Sequence, residues 1–165
     1  MSITLLPGET KQLDIVLTPL SSTQFGNKSF ESGNLGVGWY ISRGYRIGNN
    51  AYDPWPLCDG QYYLVMRLPG NVGDAEELSQ DIDLTNVNTI RFQLGLGISP
   101  STFKVLVDDD EVYSLTNTTH SWVDYPNQEV DVASYTGVHK VKFWYIRLTT
   151  EGPGSECCFD NPTCF

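Results

Sequence analysis

The stretch Ile90-Arg91-Phe92-Gln93-Leu94-Gly95-Leu96 puts an apolar residue at every second position. Successive side chains of an extended strand point to opposite faces, so this spacing predicts a strand with one face in a core. The same two-residue period recurs on either side, in Tyr62, Leu64 and Met66; Leu78 and Ile82; Phe103, Val105 and Val107; Val130 and Val132; and Val141, Phe143 and Tyr145. Each run is short and bounded by Gly, Pro, Asn or Asp. No window of helical length carries the i, i+3, i+4, i+7 stripe of an amphipathic helix. The predicted fold is all-β, an antiparallel β-sandwich or jelly roll.

Composition agrees. With 165 residues the chain is about one domain, at roughly 100–200 residues each. Seven Phe, four Trp and nine Tyr against only 18% charged residues suit a sheet and not a disordered chain. Ten Lys plus Arg against twenty Asp plus Glu leave a net charge of −10, which argues against nucleic acid or an anionic membrane surface as the main partner. No apolar run approaches the ~18 residues of a membrane-spanning helix. The N-terminus lacks the basic start and apolar core of a secretory signal.

Two segments stand apart from the strand pattern. In residues 1–22, Ile3 and Leu5 precede the turn residues Pro7-Gly8-Glu9, and Leu13, Ile15 and Leu17 then alternate with polar neighbours. This N-terminal extension reads as an edge strand, as an assembly arm pairing with a neighbouring copy, or as the end of a preceding module. A composition shift at Ser21-Ser22-Thr23 opens the sandwich domain, 23–165. From Arg43 to Gly60 the chain reads as one long loop, whose Tyr45, Tyr52 and Trp55 argue against disorder.

The four cysteines, Cys58, Cys157, Cys158 and Cys164, lack zinc-ribbon spacing and read as a disulfide framework. Adjacent strand residues face opposite ways, so Cys157 and Cys158 are expected to take different partners, namely Cys58 and Cys164 in either order. That chemistry implies an oxidising compartment or a particle exterior.

Several motifs, in order, resemble the galactose-binding-like jelly rolls that include many carbohydrate-binding modules and adhesion domains. They are Asn27-Lys28-Ser29-Phe30-Glu31-Ser32-Gly33-Asn34-Leu35 with Gly38-Trp39, Asp59-Gly60-Gln61-Tyr62-Tyr63-Leu64, Leu78-Ser79-Gln80-Asp81-Ile82-Asp83-Leu84, Val105-Leu106-Val107-Asp108-Asp109, Val130-Asp131-Val132 through Gly137, Val141-Lys142-Phe143, and the closing Phe159-Asp160-Asn161. Asp109 stands where that pattern has Gly, and Asp tolerates the positive φ of such a turn. The resemblance implies that the first and last strands meet and that carboxylates there hold a structural calcium. Glu31 and Asp160 are the expected ligands and Asp59 a weaker one, in competition with plain turn-capping roles.

Trp55 and Tyr52 flank Asp53-Pro54 on the long loop. A sugar ring packs its C–H face on an aromatic ring, so aromatics on a proline-stiffened loop suit glycan capture. The competing expectation is that Trp55 plugs one end of the sandwich. Trp39 and Trp144 are expected in the core or on a sheet face. The run Asp108-Asp109-Asp110-Glu111 lacks calcium-loop spacing and reads as a solvated hairpin tip. His120 and His139 stand without the partners of a nucleophile or zinc site, and no hydrolase or phosphate-loop motif occurs. The reading is therefore a non-catalytic module, extracellular or on a particle surface, that binds glycan and mediates adhesion. The alternative is a structural subunit of an extracellular filament or a viral decoration or tail protein, assembling as a homo-oligomer through residues 1–22.

Overall fold

The computed structural model describes residues 23–52, 55–58, 60–68, 70–150 and 155–165. The N-terminal extension and Asp59 lie outside them. The strands are β1 (Tyr40–Ile41), β2 (Tyr45–Asn49), β3 (Tyr62–Leu68), β4 (Ala75–Asp83), β5 (Thr89–Leu96), β6 (Ser101–Val107), β7 (Asp110–Asn117), β8 (Val123–Asp131), β9 (Val138–Arg147) and β10 (Ser155–Cys164). They form two five-stranded sheets, ordered β1-β4-β9-β6-β7 and β2-β3-β10-β5-β8, with every pairing antiparallel. Among the described residues none is helical. The fold is an all-β sandwich of two antiparallel sheets, as the alternating runs predicted.

The alternating runs meet between the sheets. Phe92 of β5, Phe103 of β6, Phe143 of β9 and Phe159 of β10 interlock, with ring centroids 4.6 Å apart for Phe143 and Phe159 and 5.6 Å for Phe92 and Phe143. Such aromatic pairs add roughly 0.5–1.5 kcal/mol each beyond the area they bury. Phe25 stacks on Trp39 at 5.4 Å and closes one side of this core. Trp144 points the other way, 38% exposed on the outer face of the first sheet.

Three expectations are corrected. The segment from Arg43 to Gly60 is not all loop, because β2 lies inside it and pairs with β3 along its whole length. Gly48 hid that strand from a reading by apolar alternation. In the hairpin between β6 and β7 the left-handed residue is Asp108, at φ 55°, and not Asp109. Three of the four acids at this tip are engaged: Asp109 accepts from Lys142 at 2.8 Å, and Glu111 from Lys104 at 2.6 Å. Asp108 accepts from both the Lys140 amide and His139, whose other ring nitrogen meets the Thr136 carbonyl. The Asp108 hydrogen bond holds His139 above its ordinary range, and Asp108 is held below its own. Asp108 thereby ties the β6–β7 turn to the start of β9.

The disulfide framework is the third correction. Cys157, Cys158 and Cys164 all lie in β10, where a rise of about 3.3 Å per residue sets Cys164 on the order of 15–20 Å from the other two. A disulfide needs Cα atoms within about 7 Å, so both expected pairings fail at Cys164. Cys157 and Cys164 are core thiols, the first pushed well above its usual range by burial and the second up to about 11. The Cys58 thiol donates to the Tyr62 carbonyl at 3.3 Å.

Candidate functional site

The second sheet turns one face to the core and the other outward, and the outward face carries a groove. Strand register sets Arg46, Val65, Cys158, Gly95 and Asp124 side by side across β2, β3, β10, β5 and β8. Fourth in this row, Gly95 has no side chain, and two tryptophans fill the space above it. A Cβ on Gly95 would sit 2.4 Å from Trp122 Cζ2 and 2.9 Å from Trp55 Nε1. Gly48 does the same for Tyr63, whose ring a Cβ would meet at 2.3 Å. Glycine inside a strand commonly marks such a close approach.

One carboxylate organises both indoles. Asp124 Oδ1 accepts from Trp55 Nε1 at 2.8 Å and from Trp122 Nε1 at 2.7 Å. Trp122 and Asp124 are two residues apart on β8 and the stretch leading into it, so alternation puts them on one face. Trp55 arrives from the other edge of the sheet, tilted against Tyr63 with centroids 5.3 Å apart. Its amide is fixed by Asn50 Oδ1 at 2.7 Å. The resulting cavity, about 280 Å³, is lined by Arg46, Trp55, Tyr63, Trp122, Asp124 and Glu156 among others. Glu156 is tied to Arg67 at 2.5 Å on its rim. Aromatic walls with a few converging polar groups are the general form of a small-ligand site.

The loop aromatics divide. Trp55 is 3% exposed and packs with Tyr63, Val65 and Cys158 into a second apolar cluster on the outer face. It is thus a buried wall of the groove and not an open platform. Tyr52 is 88% exposed and does not line the groove. Trp122, at 37% exposure, is the accessible ring there, and the sequence reading passed it over. The Trp122-Val123-Asp124 spacing was the available signal, but it could not announce that Trp55 would meet the same carboxylate.

The expected calcium ligands are placed as follows. Glu31 accepts from the Gln61 amide through both oxygens, at 3.0 and 3.1 Å, and from the Tyr62 amide at 2.9 Å. Asp160 is fully buried and accepts from the Asn161 amide at 2.9 Å, while that amide also donates to the Lys28 carbonyl. The loop that carries Glu31 thus reaches β10 through Lys28, whereas the first strand, β1, pairs with β4 in the other sheet. Hard oxygen donors of this kind are what calcium takes. Glu31 Oε1 already holds two amides, so Glu31 has one lone pair left, on Oε2. Among the described residues no cluster of three or more His, Cys, Asp or Glu could hold a metal ion.

No protein-family model matches this sequence, and no curated protein matches it. Solved structures do. TmCBM61, solved in complex with β-1,4-galactotriose, is 20% identical, with a TM-score of 0.59 over 88% of this chain and 99% of its own. The K3 cleaved adhesin domain of Lys-gingipain from Porphyromonas gingivalis is 10% identical, with a TM-score of 0.61 over 86% of this chain and 98% of its own. The enzymatically active domain of bacteriophage CBA120 tailspike protein 4 is 16% identical, with a TM-score of 0.54 over 90% of this chain but 22% of its own. What this chain shares with them is the fold.

Proposed function

We propose that this chain is a non-catalytic carbohydrate-binding module, acting outside the cell or on a particle surface, and that the groove over Gly95 is its glycan site. The observation that carries the reading is the pair of indoles aimed at one Asp124 oxygen. An accessible Trp122 face offers apolar area to the C–H face of a sugar, and Asp124, Arg46 and Glu156 give the groove a polar lining beside it. That similar folds include one solved with a galactotriose supports the assignment by analogy of fold. The assembly alternative rests on residues 1–22, which the described residues do not include.

A glycan array of neutral oligosaccharides tests the reading. Trp122→Ala is expected to weaken any hit about thirtyfold, the loss of a hot-spot tryptophan of about 2 kcal/mol. Its melting temperature should stay close to that of the parent. Wild-type protein that binds no glycan, or a Trp122→Ala variant that binds as well as the parent, overturns the assignment.

The calcium enters the proposal in reduced form, held by Asp160, the spare lone pair of Glu31 and backbone carbonyls. An ion bound only by the folded state stabilises it by mass action. Chelation is then expected to lower the melting temperature, and Asp160→Ala to abolish that response. Identical melts with and without chelator leave Glu31 an acceptor for the amides that open β3 and nothing more.

A further inference from the structure

We infer that a second pocket on the same outer face, built around Gln93, extends the groove into a cleft for a linear, uncharged glycan chain. This inference rests on the glycan reading of the first pocket. Gly95, Gln93 and Arg91 alternate along the outward side of β5, so Gln93 and Arg91 lie about 7 and 14 Å from the floor of the first pocket. There a cavity of about 220 Å³ is lined by Arg91, Gln93, Asn127, Asn161, Thr163 and Phe165.

Both strands beside β5 are bulged at this level. Opposite Phe92 and Leu94 stand Gln128 and Tyr125, which leaves Pro126 and Asn127 facing Gln93 alone. On the other side Asp160 faces Gln93 and Thr163 faces Arg91, with Asn161 and Pro162 between them. The extra residues Asn127 and Asn161 are held at φ 54° and 52°. Bulges re-aim side chains next to binding sites, and non-glycine residues at positive φ carry strain that persists where the surroundings impose it. Two such bulges here turn two asparagines toward one glutamine.

Gln93 Oε1 is buried and has no hydrogen-bond partner among the described residues. A buried acceptor left unsatisfied is costly, and a hydroxyl donor from a ligand would remove that cost. Amide side chains both donate and accept, as hydroxyl recognition requires. Phe165, 54% exposed, adds an aromatic face, and its backbone is pinned to Thr89 in both directions. The Arg91 guanidinium lies 4.5 Å over that ring and is neutralised by Glu129 at 2.7 Å, so the second pocket offers no spare cation. With carboxylates in the first pocket and a net charge of −10, a uronate chain is disfavoured. A ligand that fills both pockets has to be longer than a single sugar.

Calorimetry with β-1,4-linked galacto-oligosaccharides and cello-oligosaccharides, from monosaccharide to hexasaccharide, tests this against polygalacturonate. Affinity for one neutral series is expected to rise with length, and Gln93→Ala to cut the affinity for the longest probe about tenfold, one hydrogen bond's worth. The shortest probe that binds should bind Gln93→Ala unchanged. Phe165→Ala is the second variant and should show the same length-selective loss. A flat length profile, or both variants matching the parent at every length, overturns the cleft while leaving the first pocket's function standing. Polygalacturonate binding as tightly as the neutral chains overturns the charge selection. No binding by any probe removes the glycan reading itself, and this inference with it.

Discussion

Trp55→Ala is expected to destabilise the protein by about 3–5 kcal/mol, the usual cost of deleting a buried tryptophan. At roughly 2–4 °C per kcal/mol for a domain of this size, the melting temperature should fall by on the order of 10 °C. The reason lies in its surroundings. Trp55 is 3% exposed, packs on Tyr63 and donates to Asp124 Oδ1. Removing it opens a cavity above Val65 and Cys158 and leaves Asp124 with one indole in place of two. Tyr52→Ala on the same loop is the control, since a side chain 88% exposed should change stability by no more than about 0.5 kcal/mol. Thermal melts in which Trp55→Ala behaves like Tyr52→Ala would show that the loop does not hold the sheet face together.

Gly95→Val is expected to destroy the groove while the strands still form. Valine suits the middle of a strand, and the three atoms nearest the new Cβ all belong to the two tryptophan rings. What it strikes is the two rings, with a Cβ 2.4 Å from Trp122 and 2.9 Å from Trp55. Trp122 is partly exposed and can swing outward, which breaks its bond to Asp124 and removes the sugar-facing surface. Glycan affinity should drop at least a hundredfold with the β-sheet circular dichroism preserved. Retained affinity in a folded Gly95→Val would mean the ligand binds elsewhere.

The chain by itself determined the alternating strands β3, β4, β5, β6, β8 and β9 and their inward faces. Leu64, Phe92, Phe103, Val105, Phe143 and Tyr145 all point into the core, because a two-residue period has only two possible sides and one of them is apolar. The closing Phe159-Asp160-Asn161 likewise reached a strand that pairs between β3 and β5. What sequence spacing could not resolve was anything requiring two distant segments at once. Cys164 looks like a disulfide partner for Cys157 or Cys158 until all three are seen to lie along β10. Trp55 and Trp122 look unrelated until five strands in register bring them to a single carboxylate. Bulges beside Gln93 are invisible in composition, since they arise from one strand carrying an extra residue relative to its neighbour. Local alternation is a property of each strand alone, whereas the groove is a property of pairing, and pairing is decided only when the sheets assemble.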